Sequence, residues 1–219
     1  MKLKSFGCSF IFGSDLKDNV DKYTCSQFTW PALLANDIGA EYQCHAVAGS
    51  GNLQILEHIL NQITPNSDDL FVIGWTWIDR FDYYDPYYIN DQHTHNPWTT
   101  VLPNGQGHVT ETYYKRLHSE YKDKLTSLVY VKTAIDALKQ NNIRYVMTYM
   151  DRLLFDQHWH MTPGVAQLQS YAEPHMTLFD NRTFLEWSSH HDYAESALWH
   201  PLEDAHMAAF ELIKSYNLV

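Results

Sequence analysis

The chain has 219 residues with 26 acids against 15 bases, a formal net charge of −11, so its field repels a phosphate backbone and nucleic-acid binding is not expected. No apolar run approaches the ~18 to 20 residues that a membrane span needs, and three cysteines (Cys8, Cys25 and Cys44) at no metal-ligand spacing suggest neither a disulfide framework nor a zinc knuckle. The length fits a single domain over residues 1–219, and the start Met1-Lys2-Leu3-Lys4-Ser5 carries no signal-peptide pattern, so a reducing, cytoplasmic setting is expected.

In chain order, a short strand runs from Lys2 into Gly7, and Ser9 arrives where the chain must leave the sheet. Trp30, Leu33, Leu34 and Ile38 share one helical face ahead of Gly39, a natural stop. Tyr42 to Val47 reads as a second strand closed by Gly49-Ser50-Gly51-Asn52, and Leu53 to Ile63 as a helix with Leu53, Leu56, Leu60 and Ile63 on one stripe. Leu70 to Trp75 is a continuous apolar run, as expected of a strand buried on both faces. Residues 79–116 lose regular periodicity and crowd Tyr83, Tyr84, Pro86, Tyr87, Tyr88, His93, His95, Pro97, Trp98, Pro103 and Gly105, which predicts a long aromatic insertion at the ligand-facing edge. Periodicity returns in a long helix marked by Tyr121, Leu125, Leu128, Val131, Ile135 and Leu138, followed by strands at Ile143–Tyr149 and Met176–Phe179. A closing helix continues to about Tyr216, with Pro201 placed at its first position and His200 just ahead of it.

Helix alternates with strand throughout, so the expected fold is α/β: a three-layer α/β/α sandwich around a five-stranded, mostly parallel sheet in flavodoxin-like order. In such a sheet the turns after strands one, two and three share the carboxyl edge, where ligands bind. That edge receives Ser9, the Gly49-Ser50-Gly51-Asn52 turn, Gly74-Trp75-Thr76 and His200. A serine hydroxyl needs a base to become a nucleophile, and histidine is the usual one. Glycines after strand two let backbone N–H groups approach a developing oxyanion.

Gly7-Cys8-Ser9, the glycines after strand two, Gly74-Trp75-Thr76-Trp77 and Ala197-Leu198-Trp199-His200-Pro201 occur in the order of the sequence blocks of the SGNH (GDSL-like) hydrolases, and the chain resembles that family over nearly its whole length. The Gly-Cys-Ser-Phe start is similar to divergent, phage-encoded members, which adds a virion-associated setting to the expectation. The resemblance implies a serine esterase with Ser9 as nucleophile, His200 as base and Gly49 or Gly51 as oxyanion donor. It also marks departures: Cys8 replaces the first-block aspartate, Thr76 stands where the family has an oxyanion asparagine, and Ala197 stands where it has the catalytic acid. Asn52 is the expected substitute donor beside Thr76. Asp192 or Glu195 is expected to orient His200, unless a backbone carbonyl does so in a Ser-His dyad.

The aromatic residues Trp75, Trp77, Tyr83, Tyr84 and Trp98 are either a lid packed on itself or a platform for sugar rings, whose flat faces suit them. The expected substrate is a small-molecule or glycan ester with an O-acyl group. The competing expectation is a catalytically degenerate SGNH domain that binds a glycan or protein, as part of a virus particle. The pairs His93/His95, His158/His160 and His190/His191 raise a third, metal-dependent hydrolase reading, but none has a carboxylate at ligand spacing, so no metal and no cofactor is expected. His206 is expected to be a packed structural histidine.

Overall fold

The computed structural model describes residues 1–21, 23–85 and 97–217. Pro86, Tyr87, Tyr88, His93 and His95 lie outside the described residues. Four parallel strands form the sheet: β1 (Lys2–Phe6), β2 (Glu41–Cys44), β3 (Leu70–Trp75) and β6 (Arg144–Tyr149), in the spatial order β2-β1-β3-β6. Leu3 pairs with Tyr42 on one side and with Leu70 on the other, and Leu70 pairs in turn with Arg144. Every residue of β3 is buried, as its unbroken apolar run demands.

The expected fifth strand, Met176–Phe179, is reduced to a single parallel bridge between Met147 and Met176. A 3-10 turn over Glu173–His175 with Pro174 inside it leads into this segment, and left-handed Asp180 and Asn181 turn the chain back two residues after Leu178. Only its start follows β6, where the Thr177 N–H donates to the Met147 carbonyl, because Phe179 pairs instead with Arg182 across that turn.

Helices cover both faces. One core cluster joins Phe71, Ile73 and Trp75 of β3 to Ile55 and Ile59 of α3 (Asn52–Gln62), to Leu128, Val131, Ile135 and Leu138 of α5 (Glu120–Gln140), and to Val165 and Ala172 of α6 (Pro163–Ala172). The other joins Leu3, Leu70 and Val72 to Trp30 and Leu34 of α2 (Trp30–Asp37), to Phe184 and Trp187 of α7 (Phe184–His190), and to Ala209, Phe210 and Ile213 of α8 (Glu203–Ser215). Helix α8 begins two residues later than the sequence predicts. Leu202 is its N-cap, and Pro201 bridges to Glu195 as part of the loop that presents His200.

Within the insertion, the described residues are ordered elements rather than an aperiodic loop. Strands β4 (Phe81–Tyr84) and β5 (Trp98–Val101) pair antiparallel, and α4 (His108–Arg116) follows. Phe81 stacks on Tyr113 with ring centroids 4.3 Å apart. The hairpin is fastened to the start of α3 by buried Asp82, whose carboxylate accepts the N–H groups of Gly51 and Gln54 (2.9 Å each) and the Thr100 hydroxyl (2.6 Å). The carboxylate therefore caps α3 from outside, where it also meets the positive end of the helix dipole.

His206, on α8, is buried, and its Nδ1 accepts the backbone N–H of Trp30 at the start of α2 (3.2 Å). Burial, reinforced by the nearby charge of His200, pushes its pKa down to about 3. An unfolded chain binds that proton near 6.5, so between the two values the unfolded state holds more protons than the folded one. Stability is then fully present above pH 6.5 and falls with acidification, by up to about 1.4 kcal/mol per pH unit. Urea midpoints measured from pH 7.5 to 5 should drop more steeply for the native chain than for His206→Gln, whose amide oxygen can still accept the Trp30 N–H.

Candidate active site

The chain leaves β1 through a steric constraint that fixes Ser9. A Cβ on Gly7 would lie 2.5 Å from Ile11 Cγ1, and one on Gly74, at the same edge of β3, would lie 2.7 Å from the same atom. Two glycines thus open a seat for Ile11. That seat lets the short helix α1 (Ser9–Phe12) fold down over the strand ends with Ser9 as its first residue.

Ser9 is 7% exposed, and its Oγ lies 2.9 Å from His200 Nε2. His200 Nδ1 lies 2.7 Å from Oδ2 of Asp15, in the loop that follows α1. With the Nδ1 proton donated to the carboxylate, Nε2 is the acceptor for the serine hydroxyl, the arrangement a general base requires. The imidazole is also held by packing, its ring edge-on to Phe10 at 5.2 Å. Asp15 itself sits at φ +70, a left-handed conformation that aspartate tolerates better than most residues.

The same Asp15 Oδ2 accepts the hydroxyl of Ser196 (2.7 Å), and Ser196 Oγ in turn accepts the N–H groups of Leu198 (3.1 Å) and His200 (3.3 Å). One hydroxyl therefore ties the carboxylate to the backbone that carries the imidazole. The acid expected at Asp192 or Glu195 is not in that position. Asp192 is exposed at φ +56, and the Glu195 carboxylate accepts the Ser189 hydroxyl (2.6 Å). Nor is His200 left to a backbone carbonyl, since Asp15 occupies Nδ1.

The four expected oxyanion residues divide. The Gly51 N–H is committed to Asp82. Asn52 and Thr76 are committed to each other: Asn52 Oδ1 accepts the Thr76 N–H (2.9 Å), while Asn52 Nδ2 donates to the Thr76 carbonyl (3.3 Å) and to Ser127 Oγ (3.2 Å). Thr76 is fully buried, with its hydroxyl shut in the interior. Gly49 differs from all three. It sits at φ +85 in the turn after β2, nothing lies within 4 Å of where its Cβ would be, and its N–H has no hydrogen bond among the described residues. The N–H of Ser9, in the first turn of α1, likewise has no intrahelical partner.

Of the expected aromatic residues, Trp75 is fully buried core and lines no groove, because it closes a strand covered on both faces. Trp77 is half-buried, edge-on to Phe10 at 5.5 Å, with the Arg80 guanidinium 4.9 Å over its ring; Arg80 also donates to the Ser50 carbonyl (2.8 Å) beside Gly49. Tyr84 and Trp98 meet edge-to-face across the hairpin, and Tyr83 lines a cleft of about 330 Å³ with Val101, Gly107 and Thr110. Among the described residues no group of three or more His, Cys, Asp or Glu is arranged to hold a metal; His160 pairs with Glu120 (3.0 Å) and packs edge-on to Trp159, and the His190 and His191 rings pack on each other. No helix among them is long and apolar enough to cross a membrane.

No family model matches the chain, and no curated protein does. Solved structures do. A lipolytic protein of the G-D-S-L family from Veillonella parvula is 12% identical with a TM-score of 0.53, covering 98% of this chain and 97% of that one. A putative lipolytic protein of the same family from Desulfitobacterium hafniense is 11% identical with a TM-score of 0.52, covering 100% and 99%. The chain has an SGNH-hydrolase-like fold. An acetyl xylan esterase from the rumen bacterium Butyrivibrio proteoclasticus is similar as well, at 14% identity and a TM-score of 0.51 over 98% of this chain and 62% of that one.

Within this SGNH-like fold, Ala197 leaves no carboxylate three residues ahead of His200, and Asp15 fills the resulting position at Nδ1 from the other end of the chain. Residue type alone gave little sign of it beyond an aspartate in a Gly-Ser-Asp turn shortly after Ser9. If Asp15 orients the imidazole, Asp15→Asn lowers kcat by about 10² to 10⁴, whereas Asp192→Asn changes it less than about twofold. Steady-state hydrolysis of a small acetyl ester by the two variants checks this.

Proposed function

We propose that this chain is a serine esterase that removes a small O-acyl group, with a carbohydrate as the alcohol portion of its substrate. The observation that carries the reading is the continuous hydrogen-bonded series from Asp15 through His200 to Ser9. In the first step Ser9 Oγ attacks the ester carbonyl while His200 Nε2 takes the hydroxyl proton. Asp15 keeps the ring in the required tautomer and offsets the charge of the imidazolium. The backbone N–H groups of Ser9 and Gly49 receive the oxyanion, and one such donor is worth about 3 kcal/mol at the transition state. Collapse of the tetrahedral intermediate breaks the bond to the alcohol, which takes the proton back from Nε2. Water, activated by the same base, then releases the acid from Ser9.

His206 suits this role by staying neutral behind the site, so the positive charge formed on His200 meets no second imidazolium. The carbohydrate part of the reading draws on the named acetyl xylan esterase among the structural neighbours and on the aromatic side chains around the site. The test is labelling by a fluorophosphonate probe together with hydrolysis of an acetyl ester. Ser9→Ala should abolish labelling and reduce turnover by at least about 10³. Equal labelling and turnover in the native chain and the variant would remove the serine-esterase reading in favour of a domain that binds without reacting.

A further inference from the structure

The residue before the base is held in a conformation that its side chain opposes. Trp199 has φ +64, in the left-handed region where a bulky residue is a steric outlier. Its side chain gains no burial in return: Trp199 is 72% exposed, and its neighbour Leu198 is 68% exposed. The backbone around it is well fastened. The Trp199 N–H donates to the Ser196 carbonyl (3.0 Å), the Ser196 N–H donates to the His200 carbonyl (2.9 Å), and the Glu195–Pro201 bridge closes the loop. Backbone strain of this kind persists where the surroundings impose it, and it concentrates at ligand-contacting positions. An exposed indole at a strained site, one peptide bond from a general base, calls for a ligand.

We propose that Trp199 is the specificity-determining wall of a leaving-group subsite, with its ring face stacked against a pyranose ring in the alcohol portion of the ester. This rests on the serine-esterase reading above. In that reaction Nε2 of His200 returns its proton to the departing alcohol, so the alcohol, not the acyl group, occupies the His200 side of Ser9. Trp199 is the residue next to His200 in the chain, and the proposal sets its ring on that side. The chemistry of the surface selects the class of alcohol. A long alkyl chain requires an enclosed apolar groove, and Leu198 and Trp199 stand open to solvent instead. A sugar ring presents apolar C–H faces with hydroxyl groups around its edge, and a flat aromatic face with solvent at its margin accommodates both.

The experiment compares two acetyl esters that differ only in the alcohol, a mono-O-acetylated methyl xyloside and ethyl acetate, in the native chain, Trp199→Ala and Trp199→Phe. The expected result is that Trp199→Ala lowers the ratio of kcat/KM for the sugar ester over ethyl acetate by about tenfold or more, chiefly through KM, and that Trp199→Phe restores most of it. Trp199→Gly should lose the same selectivity while its melting temperature rises, because glycine adopts positive φ without strain. An unchanged ratio in Trp199→Ala would overturn the proposal, as would an equal fall for both esters. If neither ester is turned over in a Ser9-dependent way, the esterase reading fails separately. Calorimetric titration of the acetylated xyloside into Ser9→Ala and into Ser9→Ala/Trp199→Ala still decides the subsite: binding that weakens about tenfold on loss of the indole supports it, and equal binding or none overturns it.

Discussion

The sheet edge that carries Ser9 depends on the seat that Gly7 and Gly74 leave for Ile11. Gly7, just after β1, and Gly74, next to last in the adjacent parallel strand β3, have no Cβ, and the side chain that fills the space belongs to the helix beginning with Ser9. A methyl group at either glycine would meet Ile11 at well under van der Waals distance, so α1 would lift off the strand ends and take Ser9 with it. Everything placed relative to Ser9 inherits this contact: the imidazole that reaches Oγ, the Phe10 ring against that imidazole, and the loop that carries Asp15.

Much of this arrangement is legible from local pattern. The unbroken apolar run Leu70–Trp75 marks a strand buried on both faces, and the 3.6-residue period marks α3 and the long helix around Leu128 to Leu138, although α3 buries Ile55, Leu56 and Ile59 and leaves Leu60 of the expected stripe exposed. Ser9 and His200 are legible because the SGNH blocks fix their order. Asp15 is not, because its role is created by a contact across 185 residues and by no spacing along the chain. The oxyanion set divides for a related reason: residue type says that Gly51 and Asn52 can donate, but not that Asp82 and Thr76 have already claimed those donors. Trp75 shows the converse, since its place in a strand buried on both faces already argued for the core rather than a groove.

The insertion also gains a purpose beyond carrying aromatic rings. Asp82 reaches from β4 to cap α3, and Arg80 reaches from just before it to the Ser50 carbonyl. Both grip the turn after β2, the turn that holds Gly49. Burial raises the pKa of the Asp82 carboxyl, while four hydrogen bonds, led by the one from Thr100, oppose that shift. The hairpin therefore holds the turn that carries Gly49, which under the proposed reaction is where preorganisation matters for a charge that appears only in the transition state.

Ser9 and Asp15 sit on one short segment, whereas His200 comes from 191 residues beyond Ser9, at the entry to α8. Helix α8 is tied back to the same region by the Trp30–His206 hydrogen bond and by Glu203, which accepts the Lys17 N–H two residues beyond Asp15. Two members of the Asp15–His200–Ser9 series thus depend on local chain geometry, and the third on one long loop closure, whose entropic cost grows with the length of chain it spans. The Asp15–His200–Ser9 series is therefore closed only where the last helix is seated, so its integrity reports on the docking of α8 rather than on the sheet.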